Sequence, residues 1–162
     1  MDEKELLRMA EEGSEGVMFV PSNPMAPSWK SGQGSFHGVT LETRREDLAR
    51  AVLKSIAIFV ALSLERVETL WRESGRVIDK LVVDGGLARS DVLMQMQADV
   101  LDKAVQRPRF LEYTALGIAM KCEKGRRCEV ETEYDVFIPN PSSSMKGDLE
   151  RMKGLLGEEG EG

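Results

Sequence analysis

The sequence predicts an α/β fold built round a short parallel strand pair, and three observations carry that prediction. An apolar run, KLVVD from Lys80 to Asp84, ends in Gly-Gly and leads into a helical stretch from about Ser90 to Asp102. A second short strand, AVQRP from Ala104 to Pro108, follows, and then a third helix from about Glu112 to Cys122. Strand, helix, strand, helix implies parallel strands joined by a right-handed crossover. Before them stands a helix of about 28 residues, roughly 42 Å long at the usual rise, whose middle, SIAIFVALSL, is apolar almost all round. Such a helix has to be buried on most faces.

The elements follow in order. Met1 to Glu12 reads as a short helix gripped by Leu6, Leu7 and Met9 and ended by Gly13 and Gly16. GVMFVP is a short apolar run stopped by Pro21, and Ser22 to Gly34, rich in Pro, Gly, Ser and Asn, reads as a loop. Ser35 to Leu41 has the make-up of a strand. Thr43 and Glu46 have the spacing of a capping box, and Leu48, Val52, Ile56, Phe59, Leu62, Val67 and Leu70 recur at helical spacing until Gly75. After the third helix, the tail has a turn from Pro139 to Ser144 and a weakly amphipathic helix to Leu156, with the acidic GEEGEG at its end. Two well-marked strands are few to cover a helix built for burial. This implies that the chain pairs with another or is a piece of something larger.

Composition narrows the function. A 162-residue chain that is 41% hydrophobic and 31% charged has the balance of one ordinary domain. No apolar run is long enough to cross a bilayer and the acidic start is not a targeting sequence, which places the chain in the cytoplasm with no membrane partner. A net charge of −6 argues against nucleic acid as a partner. Cys122 and Cys128 lie in a basic segment and make a disulfide framework improbable, and a single histidine leaves too few ligands for a closed zinc site, so no metal site is expected. His37 has no visible acid or nucleophile beside it and reads as structural. Leu93, Met94 and Met96 read as core filling. The seven basic residues from Lys103 to Arg127 (Lys103, Arg107, Arg109, Lys121, Lys124, Arg126 and Arg127) read as a solvated face, with an anionic partner surface as the minor alternative.

The most informative segment is LVVDGGLARSDVLMQMQADVL. A strand ending in Asp-Gly-Gly before a helix puts glycines where a flat ligand or phosphate can approach backbone, near helix N-terminal N–H groups. It equally suits a tight strand-to-helix connection that needs positive φ. It is neither a dinucleotide fingerprint nor a P-loop, since no G-K-[ST] follows. Spacing leaves the ligand open.

Five motifs in order, GVMFVP, APSW, DGG, LMQMQADVL and EYTALGIAM, together resemble the C-terminal part of the FGGY carbohydrate kinases, and among them the glycerol kinase branch, which reads like G-V-Y-F-V-P, A-P-Y-W-D, V-D-G-G, L-M-Q-F-Q-A-D-I-L and E-T-T-A-L-G-A-A. The resemblance runs from about Gly16 to Met120, with an echo at Val136 to Pro139. It implies a partial actin-like, ribonuclease H-like C-terminal lobe that lacks its opening β-hairpin. On this reading residues 1–15 form an acidic N-terminal helix, 16–139 the partial kinase domain and 140–162 a helical tail. The activity implied is ATP-dependent phosphorylation of glycerol or a related polyol, with Mg engaged only if the missing lobe is supplied. Carried over by position, Gly85 and Gly86 lie against the adenosine and α-phosphate, and Ser90 stands where the family commonly has an adenine-contacting Asn. A serine is shorter and presents no amide. In the family the EYTALGIAM helix meets the other lobe, with Ala115, Gly117 and Ala119 permitting a close crossing, and Glu112 suits its N-terminus. Lys30 replaces a family acid and Gln33 an arginine.

The resemblance also implies that the polyol site, catalytic aspartate and phosphate loops are absent, so no catalytic residue is assigned and the chain is expected to be inactive alone. Its expected partners are adenine nucleotide, bound weakly, and a missing kinase lobe or a second copy of itself. The alternative is a non-catalytic kinase remnant acting as a small binding or assembly module.

Overall fold

The computed structural model describes residues 3–21, 34–71, 75, 77–109 and 133–158. Its elements are α1 (Glu3–Glu12), β1 (Met18–Pro21), β2 (Gly34–His37), α2 (Arg45–Trp71), β3 (Lys80–Val82), a 3-10 turn (Gly86–Arg89), α3 (Asp91–Leu101), β4 (Ala104–Pro108), β5 (Tyr134–Phe137) and α4 (Met145–Glu158). The helix expected from Glu112 to Cys122, both cysteines and nearly all of the Ser22 to Gly34 loop lie outside the described residues.

The expected parallel pair is present, with Leu81 opposite Val105. β5 adds antiparallel to the other edge of β4, Val105 opposite Phe137, to give a three-stranded sheet in the order β3-β4-β5. β1 and β2 form a separate antiparallel pair, Phe19 opposite Phe36. β2 stops at His37, short of Leu41, because Gly38 turns the backbone to a φ of 81°. The His37 ring hydrogen-bonds the Ser35 hydroxyl at 2.8 Å, a structural role.

One core joins these pieces. Leu53, Ala57, Ile58 and Ala61 of α2 meet Met9 and Ala10 of α1, Met18 and Val20 of β1, Leu93, Met94 and Met96 of α3 and Val105 of β4. The segments read from sequence as flanking pieces belong to it, since Met145, Leu149 and Met152 of α4 are also buried there. Gly13 lies against α2 so closely that a Cβ there would stand 2.3 Å from the Glu46 carbonyl oxygen, which lets the end of α1 touch the start of α2.

The N-terminus of α2 is capped one residue later than the sequence suggests. The Thr43 hydroxyl accepts from the Thr40 N–H at 2.8 Å and closes the preceding turn, while Glu46 pairs outward with Arg45 at 2.9 Å. Asp47 does the capping: its carboxylate accepts from the Arg44 N–H at 2.9 Å and from the N–H and hydroxyl of Ser14 at 2.7 and 2.8 Å. The backbone N–H of Ser14, then that of Arg44 and the Ser14 hydroxyl, hold the Asp47 carboxyl well below the usual carboxylate range. One buried side chain thus fastens both the helix start and the α1–β1 connection.

Midway along α2, Lys54 is 2% exposed and its ammonium bonds Glu15 and, at 2.8 Å, Asp148 of α4. Arg50 reaches Glu15 from the next turn at 2.7 Å. Burial works to raise the Glu15 carboxyl, but the hydrogen bonds from Lys54 and Arg50 outweigh it and leave it lowered. The face of α2 turned from the core is only half covered. Ile56, Phe59, Val60 and Leu64 floor an apolar groove of about 590 Å³ that also touches Pro21 of β1 and Leu81 of β3.

Lys54→Ala leaves Glu15 and Asp148 without the cation between them and should cost about 3 kcal/mol in denaturant unfolding; Lys54→Met, which keeps most of the stem volume, should cost less. A loss below about 0.5 kcal/mol for the alanine variant, the range of an ordinary surface substitution, would remove this triad from the core's support. Folding lowers both Asp47 and Glu15, so the unfolded chain binds more protons in acid and their contribution, intact above the ordinary carboxylate pKa of about 4, is lost as pH falls below it. Urea midpoints across that range should fall for the native chain and fall less steeply for Asp47→Asn.

Candidate functional site

The Asp-Gly-Gly turn leaves the C-terminal end of β3, where ligands gather in open α/β sheets. Gly85 has φ 110° and ψ 179°, a region essentially closed to residues with a Cβ, and its N–H is held by the Asp84 carboxylate at 2.7 Å. The Ala88 N–H donates to the Gly85 carbonyl at 3.1 Å and the Ser90 N–H to the Leu87 carbonyl at 3.1 Å, which winds Gly86–Arg89 into a single 3-10 turn. Gly85 and Gly86 are exposed, and nothing lies within 4 Å of where a Gly85 Cβ would stand. The chain therefore offers bare backbone to solvent there.

Ser90 faces the other way. It is 3% exposed and caps α3, its hydroxyl accepting from the Leu93 N–H at 3.2 Å. The cap thus takes the Leu93 N–H of the first turn of α3, and the Asp91 carboxylate puts a negative charge beside that helix start, which disfavours a phosphate there.

The residue that holds the turn is Arg107 on β4. Its guanidinium donates to the Ala88 carbonyl at 3.0 Å, to Asp91 at 2.7 Å and to Asp135 of β5 at 2.9 Å, and lies 5.2 Å from the centre of the Phe137 ring. Arg109 reaches Asp135 and Glu133, and Lys103 pairs with Glu68. The basic residues of this stretch that are described, Lys103, Arg107 and Arg109, are each paired with carboxylates within the chain, Arg109 on the solvent-exposed surface and Arg107 largely buried. Arg89, Asp91, Arg107, Pro108, Arg109 and Asp135 enclose a hollow of about 240 Å³ beside the turn. Gly85, Gly86 and Ser90 are outside its lining. Sequence reasoning missed Arg107; the signal available was its place at the end of the strand that pairs with the one carrying the Gly-Gly turn.

Among the described residues no cluster of three or more His, Cys, Asp or Glu could hold a metal ion. No helix among them is long and apolar enough to cross a membrane.

A small α/β lobe with a glycine turn at the end of a parallel strand pair is a fold that carbohydrate kinases share, and the comparisons place the chain among them. Residues 3–123 match the C-terminal domain of the FGGY family of carbohydrate kinases, and the chain belongs to that family. Within it the chain is similar in sequence to glycerol kinases. The chain is 43% identical over 118 residues to the glycerol kinase of Aquifex aeolicus, covering 71% of this chain and 23% of that protein. It is 39% identical over 122 residues to glycerol kinase 2 of Sulfolobus acidocaldarius, covering 74% and 24%. The chain therefore spans about a quarter of the length of the curated relatives it matches. Among solved structures, the glycerol kinase of Plasmodium falciparum with ADP superposes with a TM-score of 0.66 at 24% identity, over 98% of this chain and 34% of that one.

Gly85→Ala meets no steric obstacle, so its cost isolates backbone conformation and should be about 1–3 kcal/mol in denaturant unfolding. Arg107→Lys, which keeps the charge but loses the forked donor set, should speed amide exchange at Ala88 and Ser90 while amides in the middle of α2 keep their rates. Unchanged exchange at the turn would show that Arg107 does not hold it.

Proposed function

We propose that this chain is the nucleotide-binding portion of a glycerol kinase-like enzyme and is inactive as an isolated 162-residue chain. The observation that supports it best is the exposed Gly85–Gly86 backbone at the C-terminal end of the parallel pair, braced from behind by Arg107 and Ser90. Bare glycine backbone suits the flat, neutral adenosine end of ATP, which can lie within van der Waals reach of it. The surroundings suit the phosphates less well. Asp84 and Asp91 flank the turn, Arg107 and Arg109 are engaged by carboxylates, and the α3 N-terminus is capped. ATP supplies the transferable phosphoryl group when bound. The residues of this chain orient its adenosine end, with Gly85 and Gly86 in contact and Ser90 holding the turn's shape, while the phosphate clamp, Mg and the polyol site belong to the rest of a complete kinase. Phosphoryl transfer depends almost entirely on positioning and electrostatic stabilisation, so a chain without the clamp should not turn over.

Titration with ATP should therefore show weak binding, in the high micromolar to millimolar range or roughly −4 to −6 kcal/mol, with the amides of Gly85 and Gly86 moving first and Ser90 following. Adenosine should shift the same amides about as effectively as ATP. Shifts elsewhere, or none at millimolar ligand, would contradict the reading. The purified chain should show no glycerol-dependent consumption of ATP; turnover abolished by a substitution in this chain would contradict the division of labour.

A further inference from the structure

Among the described residues β3 pairs only with β4, and the ladder runs one residue past it, since the Val83 N–H donates to the Gln106 carbonyl at 2.9 Å. Successive residues of a strand direct their N–H and C=O to opposite edges, so those of Leu81 and Val83 serve β4 and those of Lys80, Val82 and Asp84 face the open edge. The side chains alternate in step: Lys80, Val82 and Asp84 are exposed, while Leu81 and Val83 are half-buried. Val82, 50% exposed, stands at the centre of a charge pattern with a lysine two residues before it and an aspartate two residues after it. Lys80 joins no ion pair among the described residues.

This edge is complementary to itself. Rotated by half a turn about an axis through Val82, the strand meets its own pattern antiparallel. Val82 then exchanges both backbone hydrogen bonds with Val82 of the second copy, Lys80 stands opposite Asp84 of the second copy, and Asp84 opposite its Lys80. Centring the pair on Lys80 or on Asp84 would instead set like charges directly opposite each other, which is unfavourable, so the charges select the register centred on Val82. The same edge borders the groove floored by Ile56, Phe59, Val60 and Leu64, where Leu81 stands, so a strand laid along it also covers apolar surface. We propose that the chain forms a two-fold symmetric dimer by antiparallel pairing of β3 with β3 of a second copy, centred on Val82, in one sheet continuous across both copies. The inference does not rest on the nucleotide reading and survives its failure.

Sedimentation velocity across a dilution series, with amide exchange at both ends of the series, tests it. The native chain should be a dimer that dissociates on dilution, and exchange at the Val82 amide should be at least about tenfold slower in the dimer than in the dilute monomer. Lys80→Glu and Asp84→Lys each set like charges opposite one another and should each weaken the dimer at least about tenfold. An equal mixture of the two variants restores opposite charges at both ends of the pair and should dimerise as the native chain does, which a merely structural effect of either substitution does not produce. Should Asp84→Lys disturb the turn, Val82→Pro is the second variant: it removes an N–H that faces the open edge and none that serves β4, so it should abolish the dimer and leave the β3–β4 pairing intact. A chain monomeric throughout the series, a dimer indifferent to these variants, no recovery in a mixture of folded variants, or a Val82 amide equally protected at every dilution would each overturn the proposal.

Discussion

The structure depends on the burial of one face of α2. That helix touches α1, β1, α3 and α4, and its buried residues Leu53, Ala57, Ile58 and Ala61 are the ground on which the other apolar side chains meet. Two polar devices set its position. Asp47 ties its first turn to Ser14, and Lys54, buried in its middle, ties Glu15 before β1 to Asp148 on α4. Residues 39 and 94 positions apart in sequence from Lys54 meet at a single ammonium. Burying a cation is costly, and it is tolerated here because two carboxylates satisfy it; the arrangement fixes which segments pack on α2 and in what register.

α2 is apolar on more sides than the described elements cover, and the uncovered stripe lies where β1 and β3 fail to meet. Meanwhile the parallel pair, with α3 packed on β4, carries the Gly-Gly turn at its C-terminal end. The fold therefore separates two tasks: β4 and Arg107 hold a loop of bare backbone, and α2 gathers α1, β1, α3 and α4 into one core. Residues 3–123, which include the turn, β4 and α2, match the C-terminal domain of the FGGY carbohydrate kinases, and the chain spans about a quarter of its relatives' length.

Much of this was legible in the residues because it rests on periodicity and on glycine. The 3.6-residue spacing from Leu48 to Leu70 marks α2, KLVVD and AVQRP mark the parallel pair, and Gly85 marks a turn that only glycine adopts readily. Other features depend on contacts distant in sequence. The Asp47 cap depends on Ser14 folding back against it, whereas local spacing pointed to Thr43 and Glu46. Ser90 read by family position suggested a ligand contact, yet its burial is decided by how α3 packs. Arg107 looked like one member of a basic run because its partners, Ala88, Asp91 and Asp135, come from three separate elements. β5 carried only an echo of the family pattern, and the burial of α4 follows from Met145, Leu149 and Met152, spaced for one face on a stretch whose average composition is polar.

The claim on which the account turns is that α2 organises one cooperative core that includes α1 and α4. Native-state hydrogen exchange across a range of sub-denaturing urea tests it most directly. Amides near Leu53 to Ala61 of α2 and near Met152 of α4 should converge on a single opening free energy with the same urea dependence. Exchange of the α4 amides through a separate opening of much lower free energy, with the α2 amides unaffected, would contradict it.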